Sequence, residues 1–241
     1  LDDNNFITRV FKRTNPDIIY FLITKFYITS DEDLKNAKKN STDNIHNIFQ
    51  HIKKKSKIVY VSSSAVYGDV PLKYQPLEES IELNPISRYG KLKAFEEDVF
   101  TKLSFKLKAN LIITRIFNIT GPREPSRMVG GSFVSQLVSN DELQVGNLYP
   151  KRDFLDVRDV SRALQTIGVK GKIGDCYNIC SGTSISIKDY LDLVINQLNS
   201  NPKIIEDTNR LNPNEIDDLV GDNSKLASLG WDIIYPLKQS I

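Results

Sequence analysis

A doubly wound α/β fold on a parallel sheet is predicted by three features of the chain. Residues 17–24, Asp-Ile-Ile-Tyr-Phe-Leu-Ile-Thr, form an unbroken apolar, β-prone run of the kind buried on both faces of a parallel sheet. Such runs alternate with helical spacing as far as residue 117, and the second run closes in a serine cluster, Ser62-Ser63-Ser64.

The elements follow in order. Residues 40–55 carry Ile45, Ile48, Phe49 and Ile52 at helical spacing. Strand 58–62, helix 88–106 and strand 110–117 continue the alternation. After Gly121-Pro122 the pattern loosens into a short helix at 132–137, an extended Gln144-Val145 and a helix at 157–169. An amphipathic helix at 186–199 follows, with Ile187, Tyr190, Leu191, Val194 and Leu198 on one side. Residues 200–222 are polar and interrupted by proline, and no internal repeat is evident. The division expected is 1–122, carrying the sheet, and 123–241, mainly a smaller lobe with some elements returning to the sheet.

Composition narrows the function. The 241 residues can bury a substantial core, and 32 basic against 30 acidic side chains leave a formal charge of +2. Lys53-Lys54-Lys55 reads as a solvated helix end, since a nucleic-acid surface needs a broader basic face; no nucleic-acid partner is expected. No run approaches the ~20 apolar residues that cross a bilayer, so no membrane partner is expected either. Cys176 and Cys180 share one strand with Cα atoms ~13 Å apart, too far for a disulfide. They read as small buried residues of a reduced compartment, the cytoplasm. His46 and His51 have no third ligand at a matching spacing, so no metal is expected.

Tyr89 and Lys93 carry the chemistry. In Tyr89-Gly90-Lys91-Leu92-Lys93 the phenol and the ammonium lie at i and i+4, on one helix face, and a strand ending in serines can bring a hydroxyl to them. A phenol titrates near pH ~10, so acid or base work near neutrality calls for a cation, which Lys93 supplies. Ser63 is read as the hydroxyl that holds a sugar oxygen against Tyr89.

The chain here resembles the extended short-chain dehydrogenase/reductases, in particular the NAD-dependent epimerase/dehydratase family acting on nucleotide sugars. The resemblance runs through Val59-Tyr60-Val61-Ser62-Ser63-Ser64-Ala65-Val66-Tyr67-Gly68-Asp69, Arg88-Tyr89-Gly90-Lys91-Leu92-Lys93 and Arg115-Ile116-Phe117-Asn118-Ile119-Thr120-Gly121-Pro122. It continues in Arg152-Asp153-Phe154-Leu155-Asp156-Val157-Arg158-Asp159-Val160 and Tyr177-Asn178-Ile179-Cys180-Ser181-Gly182. It implies a Rossmann-like sheet with a smaller C-terminal substrate-binding lobe, NAD or NADP as cofactor, a nucleotide-diphosphate sugar as partner, and a homodimer formed through the Tyr89 helix and its neighbour. Ser63, Tyr89 and Lys93 take the catalytic positions, and Leu22, Tyr89, Lys93 and Ile116 the cofactor positions. Ser64, Asn118 and Arg152 take substrate positions, with an ion pair to Asp153 or Asp156 as the alternative for Arg152. Asn212 stands where a second diphosphate arginine is expected, which leaves the displaced Arg210 as the substitute.

Two departures matter. The family opens with a Gly-rich turn cradling the dinucleotide pyrophosphate, whereas no glycine here precedes Gly68. The fold is therefore expected to be N-terminally truncated, a piece of a longer polypeptide that binds dinucleotide weakly by itself. The family also ends its corresponding strand in small residues such as Leu-Ala-Ala, where this chain has Leu22-Ile23-Thr24-Lys25.

Family dehydratases place an acidic pair directly after the catalytic hydroxyl, and those positions here are Ser64 and Ala65, which cannot do acid/base work. Reduction of a 4-keto-6-deoxyhexose and 4-epimerisation remain. The C-terminal strings resemble the GDP-mannose dehydratase and GDP-4-keto-6-deoxymannose reductase branch, while the serine region is closer to the UDP-galactose 4-epimerases. A 4-keto reductase is the leading expectation, a 4-epimerase the second, and a non-catalytic sugar-nucleotide-binding fragment the reading from another class.

Overall fold

The computed structural model describes residues 4–140, 142–211 and 215–241. Its first part runs α1 (Asn4–Thr14), β1 (Ile18–Phe21), α2 (Asp31–Phe49), β2 (Lys57–Ser63), α3 (Arg88–Leu107), β3 (Asn110–Ile116) and β4 (Asn118–Thr120). There follow α4 (Val129–Ser139), β5 (Glu142–Val145), β6 (Lys151–Arg152), β7 (Phe154–Asp156), α5 (Val157–Lys170) and β8 (Cys176–Ile179). The chain closes with β9 (Ile185–Ser186), α6 (Ile187–Leu198), β10 (Lys203–Glu206), β11 (Asp218–Leu219) and α7 (Ser224–Ala227).

The main sheet is parallel with strand order β1-β2-β3-β8, so a strand from the second half of the chain completes it. Successive β2 side chains point to opposite faces, and both faces are covered. Ile58 and Tyr60 join Ile45, Phe49 and Phe100 beneath α2 and α3, while Val59 joins Ile112, Ala163, Ile167 and Trp231 beneath α5. That two-sided burial is what makes the sheet doubly wound, and it accounts for the apolar runs of β2 and β3; the run at 17–24 is strand only over Ile18–Phe21, at the sheet edge, and Leu22 and Ile23 beyond it are exposed.

Boundaries shift where caps decide them. Helix α2 starts well before residue 40, because Ser30 accepts from the Asp33 amide and Asp31, Glu32 and Asp33 complement the positive end of the helix. It ends at Phe49, so the lysine triplet lies beyond it. Helix α1, which the sequence pattern did not reveal, inserts Ile7 into the cluster under α2. Leu198, assigned to the apolar side of α6, is 40% exposed in the last turn of that helix. Both cysteines are free, Cys176 on β8 and Cys180 one residue past it.

The later residues build a separate cluster, Phe133, Leu143, Val145, Phe154, Tyr190, Leu191 and Val194, around α4, α6 and the parallel β5–β10 pair. Between this cluster and the carboxyl ends of β2 and β3 lies the cavity described next. Among the described residues no helix is long and apolar enough to cross a membrane.

Candidate active site

Strand β2 delivers Ser63 at its carboxyl end, where the chain turns into a short 3-10 segment, Ser64–Val66, and the Ser63 hydroxyl accepts from the Ala65 amide at 3.2 Å. Ser87 caps α3 by accepting from the Gly90 amide at 3.0 Å, which puts Tyr89 in the first turn and Lys93 in the next. Gly90 is what lets the helix close on the strand end: a Cβ there would lie 2.3 Å from the Ala65 carbonyl oxygen. The Ser63 hydroxyl and the Tyr89 phenol face the same cavity.

These residues open onto one cavity of about 430 Å³. Ser63, Tyr89 and Lys93 line it, as do Leu22 and Ile116 of the cofactor set and Ser64, Asn118 and Arg152 of the substrate set. Arg210 is not among the lining residues; it sits after β10, half-exposed, facing Asp207 at 3.4 Å. Asn212 lies outside the described residues.

The electrostatics differ from the expectation that Lys93 eases phenolate formation. Burial pushes the Tyr89 phenol up to about 12, the nearby Glu96 carboxylate adds to the rise, and the neighbouring Ser63 hydroxyl offsets part of it. Lys93 is not a free cation. Its Nζ donates to the Val61 carbonyl at 2.7 Å and to Glu96 Oε2 at 3.0 Å, and it lies over the Tyr60 ring, 4.4 Å from the centroid. Burial lowers the Lys93 ammonium, and Glu96 acts against that fall.

The residues present fit the ribose of a dinucleotide. An ammonium has three donors, two of the Lys93 donors are used within the protein, and Lys93 lines the cavity. The Ser62 hydroxyl, buried and without a hydrogen-bond partner among the described residues, belongs to the same wall.

Arg152 donates to the Lys151 and Ile216 carbonyls, each at 2.7 Å, and faces Glu215 at 3.5 Å. Its ion partner is therefore neither Asp153 nor Asp156. Asp153 instead accepts from Ser181 and from the Gly182 and Gly221 amides, tying two of the sequence strings to each other and to the segment after β11, and Asp156 pairs with Arg158 at 2.7 Å.

Sequence reasoning missed several lining residues. Thr24 donates to Glu96 at 3.1 Å, which gives a physical reason for a threonine where the family keeps a small residue. Phe26 packs on Tyr89 with ring centroids 5.0 Å apart and lies under the Arg127 guanidinium. Glu124 accepts from Thr120 and from the Gly130 amide, bracing the start of α4 beside the cavity. Glu96 had a legible signal, a carboxylate three residues after Lys93 on the same helix flank.

A doubly wound parallel sheet with serine, tyrosine and lysine meeting at its carboxyl edge defines an extended short-chain dehydrogenase/reductase. Residues 1–241 match the family model described as GDP-mannose 4,6 dehydratase, and the chain belongs to that family, whose members are enzymes. It is 28% identical over 190 residues to GDP-6-deoxy-D-mannose reductase of Pseudomonas aeruginosa, an alignment covering 76% of this chain and 62% of the relative. The chain thus spans less than two thirds of that protein's length. The structure of RMD from Pseudomonas aeruginosa complexed with NADPH superposes with a TM-score of 0.86 at 26% identity, over 93% of this chain and 78% of the other. The Thermus thermophilus UDP-glucose 4-epimerase complex with NAD shares the fold, with a TM-score of 0.86 at 20% identity over 99% and 79% of the two chains.

Proposed function

We propose that this chain carries the catalytic and substrate-binding residues of an NAD(P)-dependent nucleotide-sugar oxidoreductase that reduces a 4-keto-6-deoxyhexose, as its GDP derivative, at C4. The observation that carries the reading is the single cavity shared by Ser63, Tyr89, Lys93, Asn118 and Arg152. In this reading the Tyr89 phenol gives its proton to the C4 carbonyl oxygen, and the Ser63 hydroxyl hydrogen-bonds the same oxygen and fixes its position. The dinucleotide, when bound, supplies the hydride; Lys93 would hold its ribose, with Leu22 and Ile116 against the ring system. Arg152 and Asn118 take the diphosphate, with Ser64 near the hexose.

Reduction is favoured over dehydration because Ser64 and Ala65 follow Ser63, so no carboxylate stands there to protonate a leaving hydroxyl or remove a C5 proton. A 4-epimerase is the second reading, favoured by the Ser62-Ser63-Ser64 string. The division into 1–122 for the cofactor and catalysis and 123–241 mainly for the nucleotide sugar, a homodimeric state and a cytoplasmic setting belong to this proposal. The test is NADPH oxidation by the full-length reading-frame product with GDP-4-keto-6-deoxymannose. Turnover supports the reductase, and interconversion of UDP-glucose and UDP-galactose without net NADPH oxidation would establish the epimerase instead.

A further inference from the structure

Glu96 lies one turn beyond Lys93 on α3, and the two side chains are 0% and 1% exposed. Donors from four segments converge on its carboxylate. Ser41 of α2 donates to Oε1 at 2.6 Å, Tyr60 of β2 to Oε2 at 2.6 Å, Lys93 to Oε2 at 3.0 Å, and Thr24, after β1, to both oxygens at 3.1 and 3.2 Å. An ionised carboxylate only accepts, and this one has donors on both oxygens. Stability is a poor account of such a cage, because a buried ion pair replaced by apolar residues of similar volume usually costs nothing. The cage stands instead directly against the cavity wall formed by Lys93 and Thr24.

We propose that Glu96 is a positioning residue for the Tyr89–Lys93 pair, its carboxylate keeping the Lys93 ammonium charged and fixed in the wall it shares with Tyr89. The inference rests on Tyr89 being the proton donor. The titratable groups around the pair are Tyr60 from β2 and Tyr89 and Glu97 from α3, with Glu97 tied to Arg115 of β3; α2 and the segment after β1 contribute the neutral Ser41 and Thr24. Burial alone drives a lysine toward its neutral form, and Glu96 is the nearest charge opposing it. The same carboxylate disfavours phenolate at Tyr89, so its charge favours the protonated form of both partners.

The test compares the pH dependence of kcat/KM for carbonyl reduction in the full-length wild type and Glu96→Gln, with Tyr89→Phe alongside. Glutamine keeps the shape and can accept from Tyr60 and Lys93 while donating to Ser41. The alkaline decline is expected at least ~1 pH unit lower in Glu96→Gln, because the coupled Tyr89–Lys93 pair then gives up its first proton sooner. An unmoved alkaline limb overturns the proposal and leaves Glu96 a structural residue. A second readout does not depend on turnover: the side-chain nitrogen resonance of Lys93, identified by its loss in Lys93→Met. It separates failure of this inference from failure of the Tyr89 reading, which an active Tyr89→Phe would signal. It also serves if Glu96→Gln does not fold, since wild-type Lys93 should remain charged at pH ~8, where a buried lysine without a counter-ion is neutral. A neutral Lys93 at that pH overturns the proposal.

Discussion

Glu97 of α3 and Arg115 of β3 form a buried two-pronged ion pair, with Arg115 Nη2 2.9 Å from Oε2 and Nε 3.1 Å from Oε1. Arg115 also donates to the Tyr67 hydroxyl at 3.1 Å, and that hydroxyl donates to Asn178 on β8 at 2.7 Å. The helix that presents Tyr89 and Lys93 is thereby tied to two strands of the sheet. Removing one partner leaves a buried charge unpaired, so Arg115→Leu should lower unfolding stability by roughly 3–5 kcal/mol. Urea denaturation measures this; a change below ~1 kcal/mol would mean the charge finds water when its partner is lost.

Arg152 is expected to exchange its Glu215 contact for a diphosphate. In Arg152→Ala, binding of a GDP-sugar should weaken by roughly 2–5 kcal/mol, the cost of leaving a desolvated charge without its partner. Calorimetry with GDP-mannose checks this, and unchanged affinity returns Arg152 to a structural role holding the Ile216 carbonyl.

Much of this was legible in the sequence, and the limits have physical causes. Strands β2 and β3 were visible because a sheet covered on both faces requires unbroken apolar runs. That Tyr89, Lys93 and Ser63 share one cavity was legible because helix geometry puts i and i+4 on one face and the serines close the neighbouring strand. The start of α2 was hidden because a polar cap and an acidic first turn, rather than apolar periodicity, decide it. The other partners of Glu96 were hidden because Thr24, Ser41 and Tyr60 are far from it along the chain and meet it only after the sheet forms. Arg210 was placed by displacement from a family position alone, and the turn after β10 carries it to Asp207.

Lys93→Met deletes the positive charge and leaves the Glu96 carboxylate uncompensated near Tyr89. A phenol beside an unneutralised anion holds its proton more tightly, so the Tyr89 phenol should rise further above about 12. Reduction needs the protonated phenol, so the alkaline limb should move upward, opposite in sign to the effect of Glu96→Gln. Turnover should drop by ~10²–10⁴, since a weaker acid transfers its proton less readily and the ribose contact is lost. Rate–pH profiles measure both effects, and an alkaline limb that moves downward would contradict this charge assignment.

The central claim, that Tyr89 donates the proton, is tested most directly by turnover of Tyr89→Phe in the full-length product with a 4-keto sugar nucleotide and NADPH. The substitution keeps the ring that packs against Phe26 and removes only the hydroxyl. The account predicts a fall in kcat of ~10²–10⁴ with folding stability changed by less than ~1.5 kcal/mol. Near-wild-type turnover in this variant, on any nucleotide sugar the intact enzyme reduces, would contradict it.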